Sequence, residues 1–494
     1  MVSRPDAPML QYMRRHLGKP LTMRPRSRVL CRPVTVLLLV LTALACSAPG
    51  EARRPVNIIV IMVDTLRADY LGSYGFEGPV SPHLDALAAE SVRFEHCISQ
   101  APWTKPSVAS LFTSLHPETH RVTDHDDQFW RDVDENLKTS ALPEEAITLA
   151  EVLRSNGYAT AAWVGNSWLS EGLGFGQGFD DYQAPERRHV QDADEVWGDV
   201  WYWLVRHRKE SPEKPFFWYL HVMDVHGPYR PPPEDVQAVS ESSTLGEERL
   251  LDDAEFDRIP NHILPTARSG APHELRTVRA LYAGGIRAFD RRLGQFLERL
   301  DKAGLVENTL LLLVSDHGEE LGEHGGWDHG DALHAEQTRV PCVIRSPQLP
   351  AGTVDEIVSL VDFMPTLLGA AAANRPEGLQ GRNLWPVLLG QTAPEPAWAF
   401  SGGVKLSRNT LSVRSKSHAL LWNDADGAIS LFDTREDPLE QRDLAESNPE
   451  LRDELRDRLQ LHQAELKKAG TLLTRQEELT REEIERLQSL GYLQ

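Results

Sequence analysis

Thr309-Leu-Leu-Leu-Leu-Val314-Ser315-Asp316-His317-Gly318-Glu319-Glu320 opens a stretch that continues through Gly322-Glu-His324-Gly-Gly-Trp-Asp328-His329-Gly330-Asp331. Its first half is apolar at nearly every position, the pattern of a strand buried on both faces of a sheet. Its second half turns at once to acids, imidazoles and glycines. Open α/β sheets place their sites at such strand ends. Asp316 and His317 supply oxygen and nitrogen donors suited to zinc or manganese, and Gly318 leaves room for a substrate.

The same pattern recurs upstream. Asn57-Ile-Ile-Val-Ile-Met-Val63 is a second continuous apolar run, ending in Asp64-Thr65-Leu66-Arg67. Ala159–Val164 and Pro215–Val222 read as further strands, and Val340–Arg345 and Ile357–Leu360 as shorter ones. Helical patterns lie between them. Ser81–Glu90 has Ser81 as its N-cap and Pro82 in its first turn, and Thr148–Asn156 closes at Gly157. A Trp-rich helix covers Asp194–Lys209, and a long amphipathic helix covers Leu275–Ala303. Strands alternating with helices predict an α/β domain over residues 57–380, its large, mostly parallel sheet sandwiched by helices. Residues 230–274 are rich in proline, serine and acids without a period, and read as a long surface excursion. Beyond about residue 380 come short alternating runs, Leu411–Arg414, His418–Trp422 and Ile429–Phe432, then a charged helix over Asn448–Lys468. They predict a small C-terminal subdomain, residues 381–494, of antiparallel sheet and helix.

Three other constellations follow apolar segments. Asp64 stands where a carboxylate can reach a metal at the sheet edge, although a turn or helix-capping aspartate fits the position equally well. Pro102-Trp-Thr104-Lys-Pro106-Ser-Val108 places Thr104 at a helix opening, where the helix dipole stabilises an oxyanion. Taken alone, a threonine ahead of x-Pro is more often an N-cap. Tyr219-Leu-His221-Val-Met-Asp224-Val-His226-Gly-Pro-Tyr229 gathers two histidines and an acid within six residues at a strand end, which favours a site over a structural loop.

In this order the segments resemble the sulfatase family of the alkaline-phosphatase superfamily, from about Asn57 to the end. The resemblance rests on "NIIVIMVDTLRADYLGSYG", "SPHLDALAAESVRFEHCISQAPWTKPSVASLFTSLHPETH", "HVMDVHGPY" and "SDHGEELGEHG". The C-terminal "LFDTREDPLEQRDLA" is similar to the family's Asp-Pro-x-Glu turn. Members carry Cys or Ser in a C/S-x-P-x-R motif and oxidise that residue to formylglycine. Here the slot reads Thr104-Lys105-Pro106-Ser107-Val108. Threonine carries a β-methyl and cannot give the same aldehyde, and Val108 replaces the arginine. The paired acids of the first strand become Asp64-Thr65, and the active-site lysine has no counterpart, its region carrying His329.

The retained set, Asp64, Thr104, Asp316 and His317, looks like the one-metal site of lipid phosphoethanolamine transferases, whose threonine is phosphorylated. The Thr104 segment is also similar to that of nucleotide pyrophosphatase/phosphodiesterases. The resemblance therefore implies one divalent metal held by Asp64, Thr104, Asp316 and His317, zinc or manganese favoured and calcium compatible. Thr104 is the implied nucleophile, with His226 and His329 binding oxyanions or moving protons. A second metal on Asp224, His226 and His329 is left open. Three functions follow in order of expectation: a phosphodiesterase or phosphotransferase using Thr104, a sulfuric ester hydrolase without formylglycine, and an inactive metal-stabilised binding module. Joint retention of Asp64, Asp316, His317, His226 and His329 speaks against decay. The transferases carry several membrane helices before this domain and this sequence carries none, which turns the expectation toward hydrolysis of a small-molecule, glycan or lipid-headgroup ester.

The 494-residue chain has 52 basic and 73 acidic residues and a formal charge of −21. This argues against nucleic acid as a partner. Its basic residues concentrate at the start: Arg4, Arg14, Arg15, Lys19, Arg24, Arg26, Arg28 and Arg32 precede the apolar run Pro33–Ala45. That is a secretory signal over residues 1–45, too short to span a bilayer comfortably, followed by a linker over 46–56. Ala43-Leu44-Ala45-Cys46 resembles a bacterial lipobox. The expected destination is outside the inner membrane, as an anchored lipoprotein or a periplasmic protein, with membrane contact through the anchor alone. Cys97 and Cys342, the two other cysteines of the mature chain, lack metal spacing and read as buried thiols, with a disulfide open to them in an oxidising compartment. If Cys46 is lipidated, the native chain labels with palmitate and partitions into detergent, because two acyl chains anchor firmly. Cys46→Ser should lose both properties, and unlabelled native protein in the soluble periplasmic fraction would sink the reading.

Overall fold

The computed structural model describes residues 56–124, 138–185, 192–240, 272–391, 397–405 and 410–489. The leader, Cys46 and residues 241–271 of the excursion lie outside them. In chain order the strands begin with β1 (Asn57–Val63), β2 (Val92–Ile98), β3 (Lys138–Ala141), β4 (Ala159–Val164), β5 (Asp181–Gln183), β6 (Phe216–Val222) and β7 (Thr309–Ser315). A short hairpin, β8 (Glu320–Leu321) and β9 (Trp327–Asp328), precedes β10 (Arg339–Val340), β11 (Cys342–Arg345) and β12 (Gly352–Ser359). Last come β13 (Ala399–Ser401), β14 (Thr410–Arg414), β15 (His418–Asn423), β16 (Ile429–Asp433) and β17 (Arg475–Glu478).

A nine-stranded sheet runs β10-β2-β11-β7-β1-β6-β4-β5, with β12 also paired to β2. Its centre, β7-β1-β6-β4, is parallel. Because side chains alternate along a strand, β1 feeds two cores at once. Ile58, Val60 and Met62 pack under the Thr104–Thr113, Leu149–Ser155 and Phe363–Ala370 helices. Ile59, Ile61 and Val63 pack under Pro82–Ala89, Ala193–Glu210 and Pro272–Lys302. This is the expected α/β sandwich.

An all-apolar strand does not set its own register, because a slip still buries apolar atoms. Polar groups at its two ends do. At the start, Asn57 Oδ1 accepts from Phe216 N at 3.2 Å and its Nδ2 donates to Thr309 Oγ1 at 3.5 Å, tying β6 and β7 to β1. At the far end, Asp64 N donates to Val222 O at 3.0 Å and Leu66 N to Ser315 Oγ at 2.9 Å.

The helix expected over Thr148–Asn156 is Leu149–Ser155, opened by a Thr148–Glu151 capping box and followed by Gly157 at φ 90°. Two readings are corrected. Within the presumed excursion, Pro233–Val239 is a helix, started by a proline whose missing N–H costs nothing at a first turn. The long helix also begins earlier than expected, at Pro272. Cys97 and Cys342 are buried thiols and form no disulfide.

The C-terminal sheet β13-β14-β15-β16 is antiparallel and packs against the Pro449–Ala469 helix through Leu411, Val413, Leu420, Leu431, Leu455 and Leu459. The Asp-Pro-x-Glu turn latches it to the rest. Glu440, buried, pairs with Arg414 of β14, accepts from His334 Nδ1 at 3.0 Å and from Ala335 N at 3.2 Å, and offers its carbonyl to His324 Nε2 at 3.1 Å. Burial raises its carboxyl pKa, but Arg414 and His334 outweigh this and hold it at about 2. Removing one partner of a buried ion pair leaves the other uncompensated, so Glu440→Ala should destabilise the chain by about 3–5 kcal/mol in denaturant unfolding. The folded-state pKa lies below the ordinary 4.5, so this stabilisation is present above pH 4.5 and is lost as pH falls toward 2. Glu440→Gln should flatten the stability profile across that window.

Candidate active site

Four neighbouring strand ends converge. Asp64 follows β1, His221 is the penultimate residue of β6, Asp316 follows β7 and Asn166 lies just past β4. The registers Met62↔His221, Val63↔Ser315 and Val164↔His221 bring them to one level. Thr104, the first residue of its ten-residue helix, is aimed at the same crevice. Its Oγ1 lies 3.3 Å from His317 Nε2, 3.5 Å from Asp64 Oδ2 and 3.3 Å from Asn166 Nδ2. Asn166 Nδ2 also donates to Asp64 Oδ2 at 2.7 Å. The expected quartet of Asp64, Thr104, Asp316 and His317 is thus assembled and wholly buried.

His317 Nδ1 sits 2.8 Å from Gly318 O, so it carries the proton and Nε2 turns its lone pair inward. That lone pair faces Asp64 Oδ1 at 3.4 Å and Asp316 Oδ2 at 3.5 Å. Neither of those carboxylate oxygens has a hydrogen-bond partner. Donor atoms of Asp64, His221 and Asp316 lie within 4.8 Å of one another. Two buried, unsatisfied carboxylate oxygens converging with imidazole nitrogens suit a divalent cation. Burial raises the pKa of both acids. For Asp64 it is outweighed by His226, His221 and His317, which hold the group well below the carboxylate range. Asp316, facing the Asp64 charge, is pushed up to about 7.

The turn after Asp64 is strained. Thr65 has φ 59°, a left-handed conformation costly for a β-branched residue. It is held there by Tyr282, whose hydroxyl donates to Thr65 O at 2.6 Å and accepts from Arg67 N at 2.9 Å.

His329 stands above the quartet, its ring centroid 4.4 Å from that of His317 and 5.2 Å from that of His226. Its Nδ1 lies 3.0 Å from Glu319 Oε1 and 2.9 Å from Asp328 Oδ1, and Tyr229 donates to Glu319 Oε2 at 2.8 Å. Burial disfavours the imidazolium, but Asp328 and Glu319 outweigh burial and Lys405 and push its pKa to about 10. His226 goes the other way, lowered chiefly by burial and by His329 against the pull of Asp64.

The Sulfatase family matches residues 56–373, and a further match, N-sulphoglucosamine sulphohydrolase, C-terminal, covers residues 322–467. The chain belongs to the sulfatase family. It is a sulfatase-like ester hydrolase. Among its relatives, the ulvan-active sulfatase of Formosa agariphila is 28% identical over 84% of this chain and 82% of its own length. The arylsulfatase of Clostridium perfringens is 26% identical over 79% and 90%. The fold is shared with the phosphonate monoester hydrolase of Agrobacterium radiobacter (TM-score 0.66, 20% identity, 83% of this chain and 96% of that one). It is shared too with BT4656 in complex with its substrate D-glucosamine-2-N,6-O-disulfate (TM-score 0.68, 21% identity, 84% and 98%).

Within this sulfatase fold several expectations change. Asp224, weighed for a second metal with His226 and His329, points elsewhere: it pairs with Arg292 and accepts from Ala193 N at 2.8 Å at a helix start. The acids beside His329 are Glu319 and Asp328 instead. Val108, in the slot of the motif arginine, is buried in the apolar core. A lysine does approach His329. Lys405, from the segment after β13, donates its backbone N–H to Gly330 O at 2.7 Å and Nζ to His329 O at 3.2 Å. Lys105 has a structural place, paired with Asp124, donating to Ser140 O at 2.8 Å and lying over the Trp168 ring.

Asn166, Lys405 and the direct part of His221 escaped the sequence reading. Asn166 is two residues past an apolar strand, so the strand-end rule that found Asp64 would have found it. Lys405 is 76 residues from its partner and left no local signal. Asp316→Ala should strip the metal, because its loss leaves the remaining donors too few and Asp64 facing no partner carboxylate. Elemental analysis finding no metal in the native protein, or full occupancy in the variant, would contradict the assignment.

Proposed function

We propose that this chain hydrolyses phosphoric esters, diesters foremost, by a two-step displacement in which Thr104 is the nucleophile. The observation that carries this reading is the setting of Thr104 Oγ1, buried at a helix start and within 3.3–3.5 Å of His317, Asn166 and Asp64. A threonine cannot become formylglycine, so the hydroxyl itself must attack.

Asp64, His221, Asp316 and His317 would hold one divalent cation, zinc or manganese by donor type. Such an ion makes the hydroxyl more acidic and neutralises charge on the ester oxygens. Asn166 holds Thr104 Oγ1 in line with the crevice, and the helix dipole favours the anion there. Thr104 Oγ1 forms a bond to phosphorus and passes its proton to the neutral His226 as the bond to the leaving alkoxide breaks, and His329, the more basic imidazole, donates a proton to that alkoxide. In the second step the now neutral His329 takes a proton from the attacking water, the Thr104–phosphorus bond breaks, and His226 returns its proton to the threonine oxygen. A positioned acid or base of this kind contributes about 10²–10⁴-fold. Lys405, beside His329, adds positive charge for an anionic substrate.

Sulfate esters are the second reading, favoured by the names of the curated relatives; a small-molecule or glycan ester suits either. Thr104→Ala should abolish turnover of phosphodiesters by roughly three or more powers of ten while the fold stays intact. Thr104→Ser should keep part of the rate. Mass spectrometry of quenched reactions should find a phosphoryl group on Thr104. Wild-type cleavage of sulfate esters but not phosphodiesters would transfer the assignment to the second reading. Turnover of neither, with metal bound, would leave a binding module.

A further inference from the structure

A second group of donors lies in the hairpin that carries His329. Glu320 of β8 sits opposite Asp328 of β9, His324 is in the turn between them, and Glu336 is on the short Ala335–Thr338 helix. Donor atoms of Glu320, His324 and Glu336 lie within 4.8 Å of one another. His324 Nε2 faces Glu440 O at 3.1 Å and Nδ1 faces Glu336 Oε1 at 2.9 Å. An imidazole that gives one N–H to a backbone carbonyl and turns its other nitrogen to a carboxylate cluster has the orientation of a metal-ligating histidine.

Glu336 supplies the independent observation. It is only 4% exposed, and its Oε2 has no hydrogen-bond partner. A buried carboxylate oxygen left without a donor or cation is costly. Nearby cations are engaged elsewhere: Arg67 with Asp69 and Glu323, Arg414 with Glu440, and Arg339 with Glu95. Glu320 accepts from His324 N at 3.0 Å and Gly326 N at 2.7 Å through Oε1, while Oε2 receives only a 3.4 Å contact from Gln337. Two carboxylates therefore face a single imidazole.

We propose that Glu320, His324 and Glu336 bind a second divalent cation of the zinc or manganese type, with water completing its shell. The ion ties the β8–β9 hairpin to the Ala335–Thr338 helix and so fixes the segment from which His329 projects. The site is separate from the Asp64–Asp316 crevice and does not depend on what that crevice cleaves.

The test is zinc stoichiometry. The wild-type chain and the Glu336→Gln, His324→Gln, Asp316→Ala and Asp316→Ala/Glu336→Gln variants are dialysed against buffered Zn²⁺ and analysed by plasma mass spectrometry, with circular dichroism to check folding. Wild type should retain about two equivalents, each single variant about one, and the double variant none. Added zinc should raise the wild-type Tm more than that of Glu336→Gln. A wild type retaining about one equivalent, lost in Asp316→Ala, overturns the proposal even if a variant fails to fold. Unchanged zinc in both Glu336→Gln and His324→Gln overturns it too, and leaves an imidazolium–carboxylate pair. Loss in Glu336→Gln with no loss in Asp316→Ala would uphold this site and remove the other.

Discussion

Asp64 and Asp316 are held face to face at the ends of adjacent strands, both wholly buried, and the rest of the site depends on that opposition. At a separation of about 4–5 Å and an effective dielectric near 20, two such charges repel by roughly 3–4 kcal/mol. That exceeds the roughly 1 kcal/mol net contribution of a typical hydrogen bond. A single such contact does not offset this repulsion, and a proton or a cation between the two acids relieves it. The rise of Asp316 to about 7 is the proton's version of that compensation. The inward lone pair of His317 offers a site for the cation's version. Asn57, at the opposite ends of the same strands, fixes the register that makes the opposition unavoidable.

The strand-end acids were legible because a buried parallel strand has few ways to end. A run such as Thr309–Val314 must stop where polar groups begin, and in an open α/β sheet that point is the crevice. This logic singles out Asp316 and His317; Asp64 and Thr104, each as readily a capping residue when taken alone, join them through the family resemblance. The rule failed where chain distance intervened. Lys405 reaches His329 from a segment whose local pattern is unremarkable in sequence, and nothing between residues 329 and 405 signals the contact. Asp224 illustrates the opposite error. Its place between two histidines suggested a ligand, but the side chain accepts from the first N–H of the Ala193–Glu210 helix and pairs with Arg292.

Around Thr104 the chain departs from its family in a connected way. Val108 lies in the apolar core, Lys105 is held by Asp124, Thr139 and Ser140, and Asn166 contacts both Thr104 Oγ1 and Asp64. The hydroxyl is therefore oriented by an amide and the helix start, with no guanidinium from the motif beside it. A β-branched side chain suits that arrangement, since it has fewer rotamers in which to point away.

The pocket has two lineages within one chain. Its acidic floor comes from the central strands and Thr104 from a helix start, whereas a cationic side chain arrives with Lys405, from the segment after β13. The strand-end acids and the lysine beside His329 thus come from well-separated segments of the chain. On the proposed mechanism, remodelling the segment that follows β13 would change the charge that meets an ester while leaving Thr104 Oγ1 where it is.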